Sequence, residues 1–152
     1  MAFGGRNGVH TKYLYDSLDK FFDLIQRKHP TVKVHAFGIT VLDILECYPF
    51  TSADSTSYQK SATMGAINVE CLNKVIKISN QTIKDINHFN NLPDHLKNLI
   101  IDEIGKYGYT LERLQNNTNQ RINFNVDYFL RWQNSYQYKP RKIIKRTSLI
   151  KN

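Results

Sequence analysis

Between Thr11 and Lys28 the apolar side chains Leu14, Leu18, Phe21, Phe22 and Ile25 return at helical spacing, with Asp16, Asp19, Lys20 and Asp23 on other faces. One apolar stripe on a polar cylinder marks an amphipathic helix, here stopped by His29 and Pro30. Short apolar segments flank it. Met1 to Phe3 reads as the stump of a strand running into Gly4 and Gly5. Thr31 to Phe37, with Val32, Val34 and Ala36, reads as a buried strand closed by Gly38. Val41 to Cys47 then predicts a short helix before Pro49, and Thr51 to Asp54 a third strand. Strand, helix, strand, helix, strand is the order of parallel βαβ units joined by two right-handed crossovers.

After this the period changes. Ala66 to Glu70 and Val75 to Ser79 alternate in the manner of a hairpin, with Cys71 to Lys74 between them. Pro93 and Asp94 suit the first turn of a helix running to Ile104, with Gly105 and Gly108 ending it. Thr110 can cap a short helix through Leu114. From Asn119 to Tyr136, Ile122, Val126, Phe129, Leu130 and Trp132 fall on one predicted helical face. The expected organisation is a partial βα segment over 1–62, a hairpin over 63–80, a helical region over 81–138 and a basic tail over 139–152. There is no internal repeat and no low-complexity tract.

Composition adds bounds to this pattern. The 152 residues are 41% hydrophobic and 12% aromatic, enough to bury a core. The formal net charge of +8 favours a polyanionic partner, because Lys and Arg neutralise phosphates and release counterions. Lys139, Arg141, Lys142, Lys145 and Arg146 lie close to Trp132, Tyr136 and Tyr138, rings on which bases can stack. A solvated charged tail is the plainer account of the same residues. Cys47 and Cys71 make no disulfide framework, and no CxxC pair suggests zinc, so neither a metal nor another cofactor is expected. No apolar run approaches the roughly 20 residues that span a bilayer, and MAFGGRNG lacks the features of a signal peptide. The expectation is a soluble cytoplasmic protein without a membrane partner.

Gly4-Gly5, Gly38 and Asp54-Ser55 each follow a predicted strand. Those positions are the C-terminal ends of parallel strands, where barrel enzymes place their chemistry. A carboxylate there can stabilise an oxocarbenium-like centre and then bond to it, dividing one difficult substitution into two easier ones. Alternatively, Asp54 is a turn or cap residue, since Asp-Ser-Thr-Ser satisfies loose backbone N–H groups. His35 lies inside a strand pattern and reads as a packed, hydrogen-bonded core histidine with no assigned role.

The segments VHAFGIT (Val34 to Thr40), LDILECYPF (Leu42 to Phe50) and TSADSTSY (Thr51 to Tyr58) together resemble the end of the barrel in the tRNA-guanine (queuine, archaeosine) transglycosylase family. The match looks closest to the archaeal and phage-type members, which include enzymes that insert 7-deazaguanine bases into DNA. The resemblance implies an α/β fold: the last three βα units of a TIM-type (β/α)8 barrel, then a small β-hairpin and a helical C-terminal region. Asp54 matches the family's nucleophile, which attacks C1′ of the ribose, displaces guanine and leaves a covalent glycosyl-enzyme intermediate. AFGGRNG (Ala2 to Gly8) resembles the loop after the sixth strand that approaches the flat base. Gly4, Gly5, Gly38 and Ser55 are therefore the implied substrate-binding positions. MGAINV (Met64 to Val69) followed by KVIKIS (Lys74 to Ser79) resembles the hairpin after the nucleophile strand, and Arg121 to Trp132 carries a vaguer likeness.

Two departures qualify what this implies. The three-cysteine, one-histidine zinc site of the bacterial and eukaryotic tRNA enzymes has no counterpart, which puts the usual tRNA specificity in doubt; the likeness to the phage members implies DNA rather than tRNA as substrate. A complete barrel needs about 250 residues. The first five strands, with the general-base aspartate, would come from an N-terminal barrel half on a separate chain or exon. The expected function is the C-terminal part of a nucleic-acid guanine transglycosylase of phage DNA modification, acting in the host cytoplasm and inactive alone. The alternatives are a basic nucleic-acid-binding accessory protein without catalysis and a fragment of another TIM barrel, phosphate-binding or hydrolytic.

Overall fold

The computed structural model describes residues 1–4, 11–39 and 41–140. It is an α/β protein with six α-helices, one parallel and one antiparallel sheet among the described residues. The described residues group into two compact units, one within Met1–Ser55 together with residues 137–140, and one over Thr56–Tyr136.

The first unit runs β1 (Ala2–Phe3), α1 (Thr11–Lys28), β2 (His35–Phe37), α2 (Leu42–Cys47), β3 (Ser52–Asp54). The three strands are parallel in the order β1-β2-β3, as the alternation of strands and helices predicts. The strand expected over residues 31–37 is regular only from His35, because Thr31 forms a turn after Pro30. Along β2 the side chains alternate: Val34 and Ala36 are buried, while Phe37 on the opposite face is 60% exposed. α1 buries Leu14, Leu18 and Ile25. Its Phe21 ring meets Phe3 of β1 at 5.1 Å, and Phe22 stacks on Tyr48 at 5.4 Å. α2 buries Ile44 and Leu45 and ends at Tyr48, whose hydroxyl donates to Asp19 of α1. The helices thus cover one face of β2 with apolar and aromatic side chains, while β3 is exposed along its length and Phe37 and Asp54 on the other face are exposed.

No closed barrel is present among the described residues: this sheet has three strands, and β1 and β3 are its edges. Closure at the tilt and stagger of a (β/α)8 barrel takes eight strands.

The second unit contains α3 (Ser57–Thr63), the hairpin β4 (Ala66–Val69) and β5 (Lys74–Lys77), then α4 (Asp94–Lys106), α5 (Leu111–Asn116) and α6 (Thr118–Ser135). Its core is Ile67, Val69, Ile76 and Ile78 from the hairpin region with Phe89, Ile100, Ile104, Leu114 and Phe124. Gly65 is required at the entry to β4. Its φ is +79°, and a Cβ there would lie 2.7 Å from the Ser79 Cβ.

Two details of the helical region differ from the sequence expectation. Gly105 sits inside α4, and the chain reverses at Gly108, whose φ is +79°. On α6 the buried residues are Arg121, Phe124 and Asn125, whereas Leu130 is 50% exposed. Polar residues can occupy the inward face because their hydrogen bonds are satisfied there. The Arg121 guanidinium donates to the carbonyls of Ala62 (2.9 Å) and Leu114 (2.7 Å), near the C-terminal ends of α3 and α5. Burial pulls the Arg121 pKa down from its ordinary value.

Candidate functional site

The parallel register brings the candidate residues to one edge of the first unit's sheet. Phe3 pairs with Ala36, and Phe37 with Asp54, so Gly4, Gly38 and Asp54 all stand at or just beyond the C-terminal ends of adjacent strands. Gly4 is there for space. A Cβ on it would lie 2.8 Å from the Phe37 Cβ and 2.9 Å from the Phe37 carbonyl oxygen. Gly38 has φ +72°, a left-handed conformation that suits glycine. Its N–H lies 3.0 Å from the Asp54 carbonyl oxygen and 3.3 Å from Asp54 Oδ1. The tight turn after β2 therefore aims a backbone donor at the carboxylate.

The Asp54 side chain is 56% exposed and points to the uncovered face of the sheet. Ser55 is half-buried directly after it. The Asp54 side chain caps no helix. The N-cap of α3 is Thr56, which makes no side-chain cap hydrogen bond.

His35 departs from the core role expected of it. Its side chain is 33% exposed and belongs to the same face as Asp54, with Nε2 3.5 Å from Asp54 Oδ2 and Nδ1 2.9 Å from Ser52 Oγ. Neither His35 nor Ser52 was among the sequence candidates. The available signal was the two-residue period, which puts His35 with Phe37 and Ser52 with Asp54, but the register between the strands is a tertiary fact.

Gly5, Arg141, Lys142, Lys145 and Arg146 lie outside the described residues. Lys139 is described, and it is engaged with α2: its backbone N–H donates to the Glu46 carbonyl at 2.8 Å and its ammonium pairs with Glu46 Oε2 at 2.9 Å. A cavity of about 500 Å³ in this unit is lined by Asp19, Asp23, Val34, Pro49 and Tyr138, among others. It lies beside the segments that lead into β2 and β3, at the opposite end of the strands from Asp54.

The described residues gather no group of three or more His, Cys, Asp or Glu side chains fit to hold a metal ion. None of their helices is long and apolar enough to cross a membrane. In the second unit, Glu103 is buried and its carboxylate accepts the N–H groups of Glu70 (2.9 Å) and Cys71 (2.8 Å), fixing the hairpin turn to α4. Local desolvation and the adjacent Glu103 carboxylate push the thiol of the exposed Cys71 up to about 11, which makes it a poor nucleophile.

Fold and site together define an α/β protein with an exposed carboxylate at the C-terminal edge of an open parallel sheet. No family model matches the chain, and no curated protein or solved structure matches it.

Proposed function

We propose that the chain supplies the last three βα units of a TIM-type barrel, and that the completed barrel is a pentosyltransferase exchanging guanine for a 7-deazaguanine base in nucleic acid, in phage DNA rather than tRNA. The observation that carries this reading is the alignment of Gly4, Gly38 and Asp54 along the C-terminal edge of adjacent parallel strands, where open and closed α/β sheets bind their ligands. The sequence resemblance over Val34 to Tyr58 supplies the reaction; the geometry agrees with it by leaving the carboxylate accessible and held on one oxygen by Gly38.

Asp54 is the nucleophile in this reading. Its carboxylate stabilises positive charge developing at C1′ as guanine departs, bonds to C1′, and is displaced by the incoming base. Gly4 and Gly38 keep the rim of the site free of side chains, so that a flat base can approach the backbone. The open edges of β1 and β3 and the uncovered face bearing Phe37 and Asp54 suit a further five strands from an N-terminal barrel half, which would also bring the general base. The chain alone is then inactive.

A base-exchange assay with labelled guanine, run with that other half present, tests the proposal. Asp54→Asn is expected to abolish covalent capture of nucleic acid; capture at an unchanged level in that variant removes Asp54 from the mechanism.

A further inference from the structure

In the parallel register His35 lies opposite Ser52, and Phe37 opposite Asp54. Side chains two residues apart share a face, so the imidazole stands between a hydroxyl and a carboxylate of the neighbouring strand. Nδ1 is 2.9 Å from Ser52 Oγ, and Nε2 is 3.5 Å from Asp54 Oδ2. An ionised carboxylate only accepts hydrogen bonds, so the nitrogen facing it is the one that carries hydrogen. Nδ1 of the neutral ring is then an acceptor, and the Ser52 hydroxyl donates to it. The second carboxylate oxygen, Oδ1, faces the Gly38 N–H at 3.3 Å. Each oxygen of Asp54 therefore has a donor group facing it. A separation of 3.5 Å is long for a hydrogen bond, but contacts of this kind tighten when substrate fills the site.

We infer that His35, oriented by Ser52, is a positioning residue that holds the Asp54 carboxylate for glycosyl transfer and stabilises it when it departs from C1′. This rests on the reading of Asp54 as nucleophile. In the first half-reaction an Asp54 oxygen bonds to C1′ while the C1′–N9 bond breaks; its electron pair leaves with guanine, which takes a proton from an acidic group of the other barrel half. In the second, N9 of the incoming base bonds to C1′ and gives its proton back to that group. The electron pair of the C1′–O bond returns to Asp54. Negative charge reappears on the carboxylate in this second step, so the donor facing it accelerates breakdown of the intermediate more than its formation.

Two measurements test this. In the full chain, long-range ¹H–¹⁵N correlation should find the His35 hydrogen on Nε2, with Ser52→Ala shifting the ring toward the Nδ1–H form. Hydrogen on Nδ1 in the unaltered chain overturns the inference whatever reaction the protein performs. With the other barrel half present, His35→Ala should retain capture yet slow breakdown of the glycosyl–Asp54 intermediate about tenfold, the worth of one hydrogen bond to a charged group. His35→Gln, whose amide N–H can reach the same oxygen, should recover most of that loss. Equal breakdown rates in His35→Ala and the unaltered protein overturn the role of His35 and leave Asp54 standing; absence of capture in the unaltered protein overturns the reading of Asp54 itself.

Discussion

Asn125 holds the second unit together through an amide that imitates a neighbouring strand. It is fully buried on α6, and its Oδ1 accepts the Asn68 N–H at 2.8 Å while its Nδ2 donates to the carbonyls of Ala66 (3.2 Å) and Tyr58 (3.0 Å). Residues 66 and 68 present these groups along one edge of β4, whose other edge is bonded to β5. Asn125→Ala leaves the part-buried Asn68 N–H and the buried Ala66 carbonyl of that edge without the partner that pairs them. Each orphaned group costs about 1–3 kcal/mol, so the variant should lose roughly 3–5 kcal/mol. That is a large share of the about 5–15 kcal/mol that separates a folded domain from its unfolded chain. Urea denaturation should show a lower midpoint with an unchanged slope, and the melting temperature should fall on the order of 10 °C. Amide exchange at Asn68 should accelerate more than at Ile76 on the paired strand, because the protection of Asn68 comes from Asn125 alone. A loss below about 1 kcal/mol would refute the reasoning, since it would mean that the edge of β4 finds water or another partner at little cost.

Gly4→Ala should weaken the β1–β2 pairing by about 1–3 kcal/mol, because its Cβ would meet backbone and side-chain atoms of Phe37 closer than 3 Å; urea titration of the variant checks it, and a neutral effect would show that β1 can shift freely. Cys71 should alkylate with iodoacetamide at pH 8 at least about tenfold more slowly than free cysteine, and Glu103→Gln should speed it, as removing the neighbouring charge restores thiolate. The raised Cys71 pKa, about 11 in the folded chain against 9.0 for the free group, also sets a sign: the folded state holds this proton more tightly, so the stability is whole below pH 9 and is lost as pH rises toward 11. Tyr109, half-buried and donating to Asp127, is pushed up to about 12 from 10.0 by desolvation and that carboxylate, so its share is lost between pH 10 and 12. Thermal melts from pH 8 to 11 should fall on the alkaline side, and Tyr109→Phe should flatten the upper part of that fall.

The local code of this chain is legible where one element decides its own form. The stripe from Leu14 to Ile25 makes α1 from Thr11 to Lys28, and Pro30 and Pro49 set off the strands that follow. Thr110 caps α5 through the Arg113 N–H. The order of strands and helices alone predicts three parallel strands with Gly4, Gly38 and Asp54 after them, because crossover connections leave little other choice. Register and burial are different in kind. That His35 meets Ser52 and Asp54 rather than the core depends on which residues pair across β2 and β3. That Arg121 and Asn125 face inward on α6 while Leu130 does not depends on carbonyls and N–H groups supplied by α3, β4 and α5. Hydrophobic periodicity assigns a polar side chain to the surface because an unpaired polar group is costly to bury, and only the assembled structure shows where its partners remove that cost.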